Sequence, residues 1–254
     1  NITACDSVVW NGTTYDSSGT YSYTSSTVSN NYSMSFDGVD DYIEIPDDNS
    51  LDHGQNNFTI NSWIKFNSLG NDVAIVDHMY DSQINDARNC FRKNNFDQLH
   101  LSLKDDNGNY FASSSITTIT DFNWHFLSVV FNYNNMTAYF YLDGQLVSSN
   151  ISQSSLNAGI NPAGLLQIGR YGYGASHTNG MINDIQIWNT ALTQTEIQNY
   201  MSCPPTGNEL GLVGYWNFEE GSGNTALDLS INGNNGTING ATYDSNVPSQ
   251  PLAL

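Results

Sequence analysis

From Ser35 to Trp188, short apolar runs recur between clusters of Gly, Asn and Asp: YIEI, FTINSWIKF, VAIVD, LHLSLKD, FLSVVFN, TAYFYLDG, LLQIGR and MINDIQIW. Short runs with alternating or continuous apolar positions, bounded by turn formers, predict strands. Their regular recurrence predicts an all-β protein, a two-sheet antiparallel jelly-roll sandwich. WHFLSVVFN is apolar on both alternating sets, Phe126/Ser128/Val130 and Leu127/Val129/Phe131, which predicts a central strand covered on both faces. Hairpin turns are expected at DDNGN (Asp105 to Asn109) and LDGQLV (Leu142 to Val147), because Asn-Gly and Asp-Gly accept positive φ.

One short helix is signalled in ALTQTEIQNYM. Thr193 caps it, Glu196 returns the bond, and Leu192 staples onto Ile197, predicting a helix over about residues 194–201. The flanking regions differ. Residues 1–28 alternate loosely, with turn signals at Asn11-Gly12 and Ser18-Gly19, and read as an N-terminal hairpin appendage. Residues 29–202 form the sandwich; CPPTGN opens a segment, 203–254, of linker and C-terminal strands.

Composition narrows the partners. The chain has 254 residues, enough for one sandwich with appendages. Its 25 acidic and 6 basic residues give a net charge of -19, which argues against nucleic acid and anionic membranes and suits divalent cations, a salty medium or plain solubility. Abundant Asn, Ser, Thr, Gly and Tyr point to a secreted β protein, at the cell surface or extracellular. The three cysteines (Cys5, Cys90, Cys203) are too few for a disulfide framework; Cys5 and Cys203 are a possible pair that spacing does not establish. No apolar run reaches transmembrane length, so no membrane insertion is expected, and a start at Asn1 without a signal peptide suggests a fragment of a longer exported polypeptide. The Asn-x-Ser/Thr triplets at Asn57 and Asn135 are explained by chance in so Asn-rich a chain.

The stretch SFDGVDDYIEIP places Asp37, Asp40 and Asp41 close together. Neighbouring carboxylates need a cation or hydrogen-bond donors when buried, yet Asp and Gly also build ordinary tight turns, so the residues alone leave both readings open.

Together SFDGVDDYIEIP, FTINSWIKF, WHFLSVVFN, AYFYLDGQLV, LLQIGR and MINDIQIWNTALTQTEI, in this order over roughly residues 33–202, resemble the laminin G-like, concanavalin A-like jelly rolls of secreted bacterial proteins. The likeness is to the flavobacterial type, including marine bacteria, that serves cell surfaces and polysaccharide utilisation. It implies two packed antiparallel sheets, often with a calcium ion at the rim and a glycan or protein ligand on one face. It further implies that Asp37 holds calcium with loop carbonyls and Asp184, while Asp40 and Asp41 are weaker candidates. The chain departs from the pattern in one respect: the segment GLVGYWNFEEGSGNTALDLSINGNNGTING usually precedes the FDG motif, whereas here it follows the helix. Either it folds back as a permuted edge of the same sandwich or it opens a next repeat. The first is favoured, because Tyr215, Trp216 and Phe218 would otherwise form an exposed apolar patch.

Four further places carry chemistry. DLSINGNNG begins like an EF-hand loop, with Asp228, Ser230, Asn232 and Gly233, but has Asn239 where a bidentate Glu belongs and reads as a turn. GRYGYGASHTNG offers Arg170, Tyr171, Tyr173 and His177 on a Gly-rich frame, as rings to stack on sugars or as ordinary rim packing. The long loop expected from Asp77 to Asn95 brings His78, Tyr80, Arg88, Arg92 and Lys93, a cluster able to hold a sulfate or uronate or to pair with Asp81 and Asp86. Trp63 is a sugar platform or, more simply, a packed core residue.

Catalysis finds little support. None of the five glutamates lies in a Glu-x-Asp-x-x-Glu arrangement, and a lyase set of His177, Tyr171 or Tyr173, and Arg170 would come from a single loop. The expected function is therefore a non-catalytic carbohydrate-binding module, calcium-stabilised, within a larger multidomain chain, tethering a secreted enzyme or a cell surface to a polysaccharide. The alternative is a structural or adhesive protein-interaction repeat, and a polysaccharide-degrading enzyme is the minor one.

Overall fold

A computed structural model describes residues 8–10, 13–15, 30–79, 88–151, 156–172 and 176–249. A short antiparallel pair, β1 (Val8–Trp10) and β2 (Thr13–Tyr15), comes first, while the expected turn signals at Asn11-Gly12 and Ser18-Gly19 lie outside the described residues. Then come β3 (Ser33–Asp37), β4 (Tyr42–Ile45), β5 (Phe58–Phe66), β6 (Val73–Met79), β7 (Arg88–Lys93), β8 (Gln98–Lys104) and β9 (Tyr110–Thr118). The middle of the chain supplies β10 (Trp124–Asn132), β11 (Thr137–Leu142), β12 (Gln145–Ile151) and β13 (Leu166–Ile168). A small hairpin of β14 (Arg170–Tyr171) and β15 (Ser176–His177) leads into the long β16 (Asn179–Trp188). Helix α1 (Gln194–Ser202) precedes β17 (Leu212–Trp216), β18 (Thr225–Ala226), β19 (Gly236–Asn239) and β20 (Thr242–Asp244).

Two antiparallel sheets result. The first runs β12-β11-β10-β5-β16-β3-β20, with β17 also paired to β16; the second runs β18-β19-β4-β13-β6-β7-β8-β9. Their inner faces enclose one core that includes Phe36, Ile43, Ile64, Phe91, Leu101, Val129, Ile182 and Trp216. β10 lies between β5 and β11, as its two-sided pattern predicts. Its Leu127, Val129 and Phe131 enter the central core, while Phe126 and Val130 face outward and are covered with Trp63, Trp188 and Ile197 of α1.

Local chemistry sets the joints. Asp143 and Gly144, with φ of 50° and 70°, form the two-residue turn between β11 and β12. Thr193 and Glu196 make the expected capping box, so α1 starts where the sequence places it. Residues after the helix complete both sheets: Trp216 pairs with Ile185, Ile238 with Ile43 and Tyr243 with Met34. Trp216 and Phe218 are buried.

Two strands depart from the sequence reading. β7 occupies what was expected to be loop between Asp77 and Asn95, because Phe91 enters the core while Arg92 alternates to the other face. β9, rich in Ser and Thr, carries only a weak apolar signal and lies at the sheet edge. Cys203 is exposed and Cys90 buried, while Cys5 lies outside the described residues.

Candidate functional site

At the end of β3 the chain folds tightly around acidic side chains. The Asp37 carboxylate accepts the Val39 N–H at 2.7 Å, and Asp41 accepts the Asp37 N–H at 2.9 Å. Gly38 holds the left-handed φ of 82° that the turn requires. Carboxylate oxygens of Asp37, Asp40 and Asp41 thereby lie within 4.8 Å of one another. Burial raises the Asp41 carboxyl above its ordinary range, against the Asp37 N–H bond, and the charges of Asp37 and Asp40 push the same way. SFDGVDDY is thus a turn that gathers three carboxylates.

Asp184 does not join them. Asp37 faces Asn179 across the β3–β16 ladder, and Asp184 lies five residues farther along β16, roughly 16 Å away at the usual strand rise. There the β5–β16 pairing bulges between Asn183 and Gln186, Asp184 takes a φ of 51°, and its buried carboxylate accepts the Tyr215 hydroxyl at 2.9 Å. This corrects the expected Asp37–Asp184 pair. A register is a long-range property, and one bulge re-aims the side chain.

Next to the three aspartates, the β14–β15 hairpin folds over the outer face of the second sheet. Arg170 pairs with His177 across it. His177 is lowered by burial and by the Arg170 charge, and is drawn the other way by Asp40, Asp37 and Asp41, so it feels both the guanidinium and the carboxylates. The Arg170 guanidinium lies 3.6 Å above the Tyr42 ring, its Nε donates to Gln167 at 3.1 Å, and Glu44 is 4.0 Å away. Three bonds fasten the hairpin region to the sheet: Gly172 N–H to Asp77 at 2.7 Å, Ser176 Oγ to the Asp72 carbonyl at 2.6 Å, and Thr178 Oγ1 to the Ala74 carbonyl at 2.8 Å.

Arg92, on β7, stacks 4.6 Å from the Tyr171 ring and donates to Asp72 at 3.0 Å. Beside it, His100 is pushed down to about 4 by burial and by Arg92, with Asp72 opposing, and its Nδ1 meets Ser114 Oγ at 2.8 Å. The structure therefore unites Arg170, Tyr171, Arg92 and His177, drawn from two separate sequence regions, in one polar surface next to Asp37, Asp40 and Asp41.

Other expected ligand residues fall elsewhere. His78 is buried, with its Nε2 3.0 Å from the Gly164 carbonyl and 3.5 Å from Asp47; burial pushes it down to about 4, leaving a neutral residue away from the arginine face. Strand alternation explains this, because Asp77 faces the hairpin and its neighbour must face the other way. Lys93 is fully buried and paired with Asp97, so the basic cluster read from the sequence is split, and the acids that answer Arg92 and Lys93 are Asp72 and Asp97. Tyr80, Tyr173, Asp81, Asp86 and the Arg88 side chain lie outside the described residues. The Asp228 carboxylate accepts N–H bonds from Tyr215, Ser230 and Asn234, each at 2.8 Å, which makes its loop a locked turn.

Sequence reasoning missed Tyr42, Asp72, His100 and Gln167. The alternation in YIEI and LHLSLKD put Tyr42 and His100 on one set of positions, but only sheet order brings those sets together.

The architecture has counterparts among solved structures. A candidate carbohydrate-binding protein from Bacteroides ovatus superposes with a TM-score of 0.65 at 15% identity, covering 88% of this chain and 62% of that one; the chain thus spans under two thirds of that protein's length. The heptameric SAP-like pentraxin of Limulus polyphemus gives 0.57 at 16% identity, covering 87% of this chain and 97% of that one. The CBM40 of the Ruminococcus gnavus IT-sialidase gives 0.52 at 11%, covering 65% of this chain and 94% of that one. At these identities the likeness is one of fold. No curated protein matches the chain in sequence. The family model described as the concanavalin A-like lectin/glucanases superfamily matches residues 37–198, from the acidic turn through the second sheet's hairpin to helix α1, and the chain belongs to that superfamily.

Proposed function

We propose that this protein is a non-catalytic carbohydrate-binding module whose ligand lies on the Arg92–Tyr171–Arg170–His177 surface. The observation that carries this reading is the pair of guanidinium–tyrosine stacks, Arg92 on Tyr171 and the largely buried Arg170 on Tyr42, which fix two arginines and two rings on one side of the sheet. Arginine forks match carboxylate or sulfate groups, and rings match sugar C–H faces, so an anionic polysaccharide is the preferred class. The fold likeness to the CBM40, also solved with alpha2,3 sialyllactose bound, is consistent with such a ligand.

Asp37, Asp40 and Asp41 fit a calcium ion, since burial raises Asp41, the charges of Asp37 and Asp40 add to that rise, and three such carboxylate oxygens within 4.8 Å are a donor set that suits a hard cation. Bound there, calcium supplies charge neutralisation that stiffens the rim beside His177. Four of the five glutamates are held in hydrogen bonds and the fifth, Glu44, lies 4.0 Å from Arg170, which speaks for binding rather than hydrolysis. Glu196 caps α1, Glu209 accepts from Thr206 and Gly207, Glu219 from Asn31 and Tyr32, and Glu220 from Leu227. In a secreted multidomain protein, such a module would tether an enzyme or a cell surface to polysaccharide.

The test is an array of acidic and neutral polysaccharides, with calcium and with EDTA, followed by calorimetry on the hits. Tyr171→Ala and Arg92→Ala are expected to weaken binding at least tenfold with little change in melting, while EDTA lowers the melting temperature. Full affinity in both variants would sink the proposed surface. The second reading, a structural or adhesive repeat, is favoured by the exposed Leu227, Leu229 and Ile231 at alternate positions of one segment, and it predicts no polysaccharide binding.

A further inference from the structure

The outer face of the first sheet, on the opposite side of the sandwich from the arginine surface, carries a separate cleft. It has a volume of about 560 Å³, and its lining includes Trp63, Trp124, Asp143, Met201, Asn246 and Ser249. That size is in the range of small-ligand sites. Trp124 pairs with Lys65 and Phe126 with Trp63, so the two tryptophans are diagonal neighbours on one face of β5 and β10. Trp63 leans on Phe126 at 5.3 Å, and Trp124 donates its indole N–H to Asn246 at 3.1 Å, tying the segment after β20 to the cleft wall. Asp143 comes from the β11–β12 turn, where it accepts the Phe126 N–H at 2.9 Å and faces His125 Nδ1 at 2.9 Å.

Trp63 is only 5% exposed, and its indole N–H has no hydrogen-bond partner among the described residues. Its neighbours on the same face repeat the pattern: Ser128 and Gln186 flank Asn61 across the sheet, and Ser128 Oγ, Asn61 Oδ1 and Gln186 Nε2 are also buried without partners. Buried polar atoms are nearly always paired, and of these unpaired groups only the Trp63 indole belongs to a residue that lines the cleft, since Ser128, Asn61 and Gln186 are fully buried away from its lining.

We propose that the cleft is a second ligand site, for a neutral saccharide unit that packs the C–H face of its ring on the partly exposed Trp124, above the largely buried Trp63, and exchanges hydroxyl hydrogen bonds with Asp143, Asn246 and Ser249. Indole rings present broad apolar faces for such a ring. Asp143 is an acceptor for sugar hydroxyls, and together with the net charge of -19 it disfavours acidic sugars. The two faces then select different glycans, one through arginines and one through tryptophans, and a single module can bridge two polysaccharide chains. This site stands independently of the arginine surface, which contains tyrosines and no tryptophan among its described residues.

Indole ¹⁵N–H NMR separates the two sites, because only the cleft places tryptophans beside ligand. Hexasaccharides of neutral β-glucan, mannan, xylan and galactan are titrated into the labelled protein, with an oligogalacturonate as the acidic control. The expected result is saturable shifts of the Trp63 and Trp124 indoles with at least one neutral probe. Trp124→Ala and Asn246→Ala should each weaken binding at least tenfold by calorimetry, with Tyr171→Ala unchanged. The inference is overturned if no neutral probe moves these indoles, if Tyr171→Ala abolishes the shifts, or if deleting residues 250–254 moves the same indoles without sugar, which would make the chain's own end the occupant.

Discussion

Asp105 shows how much a single side chain can carry. It is fully buried, and its carboxylate accepts N–H bonds from Asn107, Asn109, Asn157 and Ala158 at 2.7–3.1 Å. Burial works against its ionisation, but the bonds from Asn157, Asn109 and Ala158 outweigh it and hold the carboxyl below its ordinary range. A lowered folded-state value means the stabilisation is present above the unfolded value near 4 and is lost as pH falls through the folded one. Asp105→Ala orphans several buried donors and should cost about 3 kcal/mol in urea unfolding at neutral pH. His78 contributes a second acid-sensitive step. Its burial lowers it to about 4, so the unfolded chain takes up the proton first, and stability falls between about pH 6.5 and pH 4. Asp52, raised to about 6 by burial and by Asp47, Asp106 and Asp48, acts in the opposite sense. His78→Gln should therefore flatten the fall in melting temperature across that window; an unchanged profile would assign it to other groups. DDNGN announces a turn from sequence, but not that Asp105 also holds a loop 52 residues away.

Among the elements, α1 was the most legible, since its capping box and staple are local. Thr193→Ala removes the side-chain bond to the Glu196 N–H and should cost about 1 kcal/mol, read as a shift in the urea midpoint with an unchanged slope. The β11–β12 turn was legible for the same reason, because Asp-Gly sets its own backbone. β7 was not. Its arginines and asparagine look like loop, and only the company of β6 and β8 makes Cys90 and Phe91 interior. The β14–β15 hairpin belongs to the same class: its Gly-rich sequence marks a loop, while its seat on the sheet depends on Asp72, Asp77 and Ala74, about 100 residues earlier.

At the scale of the whole molecule, the strands after α1 close both sheets. Removing residues 203–254 would strip β17 from β16, β19 from β4 and β20 from β3, and uncover the core around Trp216 and Phe218. That truncation should show no cooperative thermal transition and should bind a hydrophobic dye; a cooperative melt would mean that residues 29–202 are self-sufficient. The sequence by itself determined the sandwich class, the central strand β10, the turns and the helix, because alternation, positive-φ residues and caps act over a few positions. Tertiary structure alone decided which charged groups meet: Asp184 bonded to Tyr215 rather than beside Asp37, Lys93 inward on Asp97, and Arg92 on Tyr171. The reason is that these encounters depend on strand order and register, which a one-residue slip or one bulge reverses and which no local pattern encodes.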